Sequence, residues 1–464
     1  IISNYCLGGD SFMSKSMTSG NPLKLILAFS IPLLLGNLFQ QFYNIVDTAI
    51  VGQTLGSVAL AGVGSSSSVQ FLVLGFCQGI CQGFSIPVAQ KFGADEIDEM
   101  RKYVFNGGVL VALFAVVVTT AVVILCPQIL AILQVNKEIY DYAYSYLVII
   151  FAGIPFTLLY NYLAALLRAI GDSKTPFYFL AFSAILNIGL DFFCIINLNL
   201  GCAGAAIATI VSQAISGILC LLLIIKKFEV LHLHKEHREM SKEKSGRLLS
   251  MGVPMGLQFS ITAIGSMTMQ SANNSLGTIY VSGFTAGLKI KQLMMCPFDA
   301  IGATASTFLS QNYGAKKTDR IHQGFKISVT LGALYACVAG IIMIFLGRMM
   351  SMMFVSSSEA AVLDASALYL RRMGYFFPVV SLVIVMRMSI QGLGYSGRAM
   401  FGGILEMFAR SFVAMVFVPM FKFDAITWTD QAAWVVAAVY LGYTSYAVMK
   451  HVEQQIQNDL ALEN

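Results

Sequence analysis

The chain has 464 residues, of which 57% are hydrophobic and only 11% charged, and its net charge is +5. Soluble domains carry about 25% charged residues, so this chain cannot cover a watery surface, and an ordinary soluble enzyme or binding module is excluded. The basic surplus calls for no nucleic-acid partner, because its placement in the loops accounts for it.

Residues 1–12, ahead of Met13, read as an upstream remnant with no cleavable signal peptide. An N-terminal tail spans 1–20. A bilayer core needs about 20 apolar residues per helix. Twelve such stretches follow, near 25–52, 58–87, 103–126, 139–168, 176–197, 202–226, 248–274, 280–309, 325–348, 361–392, 399–421 and 431–450. Barrel strands would alternate with period 2, whereas residues 109–126 and 207–225 are apolar all round. The predicted fold is therefore an all-α membrane protein of twelve transmembrane helices. A first six-helix lobe covers 21–226, a cytoplasmic linker 227–247, a second lobe 248–450 and a cytoplasmic tail 451–464.

The two lobes repeat each other. Gln90-Lys-Phe-Gly93-Ala94 with Asp98 returns in the second half as Gln311-Asn-Tyr-Gly314-Ala315 with Asp319. Pro155 and the Gly171-Asp-Ser173 turn return as Pro378 and Gly394-Tyr-Ser396, and Pro32 returns as Pro254, all at nearly the same separation along the chain. Repeated halves in an apolar chain mark secondary transporters. Six helices per half is an even number, so both halves enter from the same side. Their axis of pseudo-symmetry then runs along the membrane normal.

Basic residues cluster on one face. Lys91, Arg101, Lys102, Arg168 and Lys174, the linker cations from Lys226 to Arg247, and Lys316, Lys317 and Arg320 all share it. The opposite loops hold little beyond Lys137, Arg348 and Lys422. The positive-inside rule puts both termini and the linker in the cytoplasm. His232, His234 and His237 read as part of a solvated linker, in preference to a metal site. The nine cysteines are scattered; Cys77 and Cys81 share a face but lack a second pair to complete a tetrahedral site.

An acid at membrane depth costs about 2.5–3.5 kcal/mol on insertion scales, so each one asks for a reason. Asp47 ends the run Gln40-Gln41-Phe-Tyr43-Asn44-Ile-Val-Asp47, and Asp191 follows Asn187 by one turn on the same helix face. Helices 1 and 5 can bring both carboxylates into one pocket. There, with Asn187 and a hydroxyl such as Thr209, they would take up and release a proton or Na⁺. The alternative is that both acids cap or crosslink helices near the outer surface. In the second half, Glu406 and Arg410 read as a structural ion pair, and Arg387 lies in helix 10. Lys289 faces either a cavity or a carbonyl cluster. Gln258 stands where the repeat has Gly36, and no Asp or Glu is assigned to the interior of helix 10, so the ionic site is placed in the first lobe. Of the 23 methionines, 19 follow residue 250, which suits either a promiscuous cavity or lipid-facing filler.

With these residues in place, the chain from about 21 to 450 resembles the multidrug and toxic compound extrusion (MATE) transporters, closest to the prokaryotic DinF-like branch. The resemblance rests on Pro32 with Asp47, the run from Tyr43 to Gly52, the loop from Val88 to Ala94, the segment from Arg168 to Pro176, and Asn187 with Asp191. It implies a central cavity between the lobes that opens alternately to each side. It also implies antiport of organic cations or drugs against H⁺ or Na⁺, with no cofactor. The family's cation site falls on Asp47, Asn187, Asp191 and Thr209, its helix-1 bend on Pro32, and its lobe-lining positions on Gln40, Tyr43 and Asn161. Gln258 and Lys289 are taken as further cavity-lining positions of the second lobe. A second-lobe Na⁺ site is not expected, since Gln258 replaces the acid that another branch carries in helix 7.

The expected setting is the cytoplasmic membrane of a bacterium or archaeon. The expected partners are small organic substrates and membrane lipids, and the expected state is a monomer. A lipid-linked oligosaccharide flippase of the same superfamily is the alternative. Its large anionic cargo would call for Arg and Lys in the cavity, where the first lobe offers acids instead. HExxH and Gly-x-Ser-x-Gly signatures of a membrane enzyme do not occur.

Overall fold

The computed structural model describes residues 16–133 and 135–463; the expectation for residues 1–12 lies outside them. The first lobe comprises α1 (Pro22–Gly56), α2 (Val58–Gly93), α3 (Ile97–Ile124), α4 (Lys137–Ala152 and Ile154–Ala169, bent by 48°), α5 (Lys174–Asn197) and α6 (Gly201–Lys227). The second comprises α7 (Lys242–Asn274), α8 (Thr278–Gly314), α9 (Thr318–Ser351), α10 (Ala360–Gly392), α11 (Ser396–Val416) and α12 (Phe423–Glu463). Ten of these helices, and the bent pair as an eleventh span, are long and apolar enough to cross a membrane. The twelfth, α8, has 37 residues but carries Lys289, Lys291 and Asp299. Its length of about 55 Å at 1.5 Å per residue exceeds a bilayer core.

Local sequence starts and stops these helices. Asn21 caps α1 by accepting from the Lys24 amide at 3.2 Å, and Pro22 occupies the first turn, where a missing N–H costs nothing. The backbone breaks at Gly56 with φ +84°, a left-handed conformation open to glycine at little cost. The same break recurs at Gly277, with φ +101°. Asp95 and Lys316 share a left-handed φ (62° and 56°), as do Asn199 and Lys422 (both 52°). Each pair occupies equivalent positions of the repeat, so the backbone repeats with the sequence. Even the π-helical turns repeat: Phe193–Asn197 closes α5 and Val413–Phe417 closes α11.

The lobes meet where α2 packs on α7 and α1 on α8. Gly79 and Gly83 lie directly against the backbone at Gly256 and Gly252, where any added Cβ would collide. At the linker end the repeated motif closes on itself. A Cβ on Gly93 would strike the Gln311 carbonyl, and one on Gly314 would strike the Gln90 carbonyl. Gln90 Nε2 donates across the boundary to the Gly392 carbonyl at 3.3 Å, and Gln311 Nε2 donates to the Ala169 carbonyl at 2.7 Å. Ala169 and Gly392 are themselves repeat equivalents, so the two crossings are one contact made twice. Interlobe hydrogen bonds extend from this end as far as Asn37–Cys296 (3.4 Å) and Ser260–Leu72 (3.2 Å). None lies beyond them among the described residues. Among the described residues the interlobe hydrogen bonds are thus confined to the linker half of the helices.

Three segments read as tails or as a solvated linker pack against the helices. Met17 is 2% exposed; its amide donates to Gln311 Oε1 at 2.8 Å and Arg320 donates to its carbonyl. The linker shortens to 228–241 and lies on α3, where Arg101 donates to the Val230 and Glu229 carbonyls. His237, expected in solvent, is 1% exposed and meets Asp98 at 3.2 Å. The expected tail 451–464 instead continues α12 through Glu463 and buries Val452 and Ile456. Polar residues on its outer face hide that continuation from a reading of hydropathy.

Candidate functional site

The first lobe brings Asp47, Asn187, Asp191 and Thr209 together, from α1, α5 and α6. All three of Asp47, Asn187 and Asp191 are buried, at 9%, 1% and 0% exposure. Asn187 and Asp191 share a face because they are one turn apart. With the Asn187 amide turned so that both its ends are satisfied, its nitrogen donates to Asp191 Oδ2 at 3.0 Å. Its oxygen accepts from the Thr209 amide (3.1 Å) and hydroxyl (3.3 Å). Tyr43 reaches the same hydroxyl at 3.3 Å. The carboxyls of Asp47 and Asp191 stand within hydrogen-bonding reach of each other.

One oxygen of each, Asp47 Oδ1 and Asp191 Oδ1, is buried without a partner. An unsatisfied buried polar atom is costly, and two close carboxylates repel when both are charged. No Lys or Arg bonds to either acid among the described residues. A proton or a hard cation meets both needs, and the donor set of carboxylate, amide and hydroxyl oxygens suits one. Among the described residues no group of three or more His, Cys, Asp or Glu could hold a metal ion.

Around the pair, α1 stays helical across Pro32, whose ring leaves the Ala28 carbonyl without its intrahelical donor. Gln40, Asn44 and Thr48 form an exposed polar stripe on α1. Asn161 is half-buried and donates to the Thr157 carbonyl at 2.8 Å, while Thr157 bonds Gln213 at 2.6 Å.

The second lobe holds a denser set of charges. Glu406 pairs with Arg410 across one turn (2.9 Å) and with Arg387 on α10. Arg410 also binds Asp430 (3.0 Å), which binds Lys291 (2.6 Å) and Tyr369 (2.9 Å). Gln258 is joined to Gln391, linking α7 to α10. Lys289 lies apart from this network, its ammonium 5.9 Å from the centre of the Phe354 ring.

Sequence reasoning misses Asp430, Lys291 and Asp299. Asp430 falls one residue outside the apolar stretch 431–450. Lys291 sits two residues from Lys289, hence on another helix face, and an apolar stretch does not say which face turns inward. The reading of helix 10 also needs a correction: Asp364 does lie on α10, at its exposed end, paired with Arg348 at 3.0 Å.

The repeat and the fold have counterparts among known proteins. The MatE family profile matches twice, at residues 32–193 and 254–417, so the two repeats match separately. The probable multidrug resistance protein YpnP of Bacillus subtilis is 30% identical over 381 residues, covering 81% of this chain and 84% of that protein. The probable multidrug resistance protein YoeA of the same organism is 28% identical over 71% of this chain and 73% of its own length. A solved outward-facing multidrug resistance MATE family transporter superposes with a TM-score of 0.88 at 19% identity, covering 94% of this chain and 98% of that one. That likeness fixes the twelve-helix, two-lobed fold. The chain belongs to the MatE family, the multidrug and toxic compound extrusion transporters, and is a multi-pass membrane transporter and not an enzyme.

Proposed function

We propose that the protein is an efflux antiporter of the cytoplasmic membrane of a bacterium or archaeon, acting as a monomer with the linker side in the cytoplasm. It exports small organic cations and drugs in exchange for H⁺ or Na⁺ by alternating access, and it needs no cofactor. The observation that carries this reading is the facing pair Asp47 and Asp191, each with a buried oxygen that lacks a partner. The multidrug names of the relatives support the substrate class. The interlobe hydrogen bonds gather on the linker side, which this reading assigns to the cytoplasm, and this supports a conformer open to the outside.

In this cycle the ion enters from outside and settles between Asp47 and Asp191 beside Thr209, and the Asn187 amide, whose nitrogen donates to Asp191 in the structure described, turns its oxygen to a bound Na⁺. Loading removes the repulsion between the carboxylates and draws α1 towards α5. Pro32 lets α1 bend in response. The first-lobe side of the cavity then narrows and substrate leaves outward. Release of the ion to the cytoplasm resets the site. One charge crossing 100 mV supplies about 2.3 kcal/mol.

Dye uptake into inverted vesicles, whose bath faces the linker side, tests the reading, with a ΔpH and a Na⁺ gradient applied in turn. Wild type should respond to one gradient and Asp47→Asn to neither. Equal uptake by both proteins would place the coupling outside the first lobe.

A further inference from the structure

We propose that Asp299 on α8 is the docking point for the cationic group of the transported compound. The inference rests on the efflux reading above and adds to it a residue outside the coupling site.

Past its first turn α8 exposes only four residues: Ser282, Thr285, Gln292 and Asp299. All four are polar, and their spacings of three and seven put them on one face. A face turned to lipid would be apolar, since nothing in hydrocarbon can satisfy these groups. The stripe therefore lines a hydrated space. That space is the gap between the lobes, because α8 faces α1: Asn37 donates to the Cys296 carbonyl at 3.4 Å, and Ser30 bonds Thr304 at 2.9 Å. Asp299 falls between these two contacts. It sits on the linker side of the Asn37–Cys296 contact, level with the stretch of α1 that contains Pro32.

Asp299 has no hydrogen-bond or ion-pair partner among the described residues. The charged group facing it is Arg387. Arg387 is 9% exposed at its side chain and already bound to Glu406, whereas Asp299 is exposed and bonds to neither. Glu406 and Asp430 are each held by two bases and can accept little more. Of these three acids, Asp299 is the one still open to a ligand. An unpaired carboxylate at this depth is costly unless it meets water or a cation. Gln292 and Thr285 above it offer neutral acceptors along the same path. A cation seated here would lie beside the stretch of α1 between Ser30 and Asn37, the helix that also carries Asp47.

Calorimetry on the purified full chain tests this with tetraphenylphosphonium, a permanent cation, and with triphenylphosphine oxide, a neutral compound of similar shape. Asp299→Asn should weaken tetraphenylphosphonium about tenfold, the scale of one charge-assisted contact, and leave the neutral probe unchanged. Asp299→Glu should restore the cation. If the Asn variant is not monodisperse, Asp299→Ser, smaller and uncharged, takes its place. Unchanged cation affinity in a folded neutral variant overturns the proposal, as does equal loss of both probes. If wild type itself fails to bind the cation, the efflux reading falls first and this inference with it.

Discussion

The two lobes are copies of one backbone, yet their buried acids meet opposite fates. In the first lobe Asp47 and Asp191 face each other with no base bonded to them, and each keeps an unpartnered oxygen. In the second, Glu406 and Asp430 are each held by two bases, in a network of Lys291, Arg387 and Arg410. A carboxylate saturated with fixed cations has no reason to take up a mobile one. A pair without them does. The difference explains how one duplicated scaffold can serve as both a moving part and a fixed one: the repeat sets the helices, and a few charges decide which lobe responds to an ion.

The largest effect should come from removing the unsaturated pair. Asp191→Ala should reduce drug resistance of host cells to the background of cells without the transporter, while membrane levels stay normal. Wild-type resistance in that variant would reduce the pair to a structural contact. The fixed network should fail in the other way. Asp430→Asn leaves Arg410 and Lys291 buried with a lost partner, at a cost of about 3–5 kcal/mol. The expected result is a much lower melting temperature in detergent together with low expression, and a melting point equal to wild type would contradict the assignment.

Smaller effects should follow at the join between the lobes. Gly314→Ala pushes a methyl group into the Gln90 carbonyl, so it should shift the protein away from the conformer closed on the linker side. Cysteines introduced on the linker face would then label faster than in wild type; an unchanged rate would show that the contact yields freely. The smallest change is expected at the docked linker. His237→Ala removes the contact to Asp98 and the acceptor for the His234 amide and should cost about 1–3 kcal/mol, visible as a small drop in melting temperature with transport unaltered.

Much of this is legible in the sequence. The repeat stands out because Gln90–Gly93 and Gln311–Gly314 serve the same close crossing, which tolerates no other residue at the two glycines. The first-lobe site stands out because an acid inside an apolar run is costly and therefore conspicuous. The second-lobe network does not. Asp430 lies near the start of α12, where an acid reads as a loop residue, and Lys291 is told from Lys289 only by the direction each side chain takes. Gln258 is conspicuous for breaking the repeat, but its partner Gln391 lies far along the chain, on α10, a pairing that only packing reveals. The methionines divide similarly: Met251, Met255, Met269, Met343 and Met373 fill the core, whereas Met353, Met415 and Met420 face outward.

The most direct test of the contrast between the lobes is ion release on substrate binding. Tetraphenylphosphonium would be titrated into weakly buffered, purified wild type, Asp47→Asn and Glu406→Gln, with and without Na⁺, while released protons or Na⁺ are recorded. Wild type and Glu406→Gln should each expel the coupling ion as substrate binds, and Asp47→Asn should expel none. Release by Asp47→Asn equal to wild type would contradict the account.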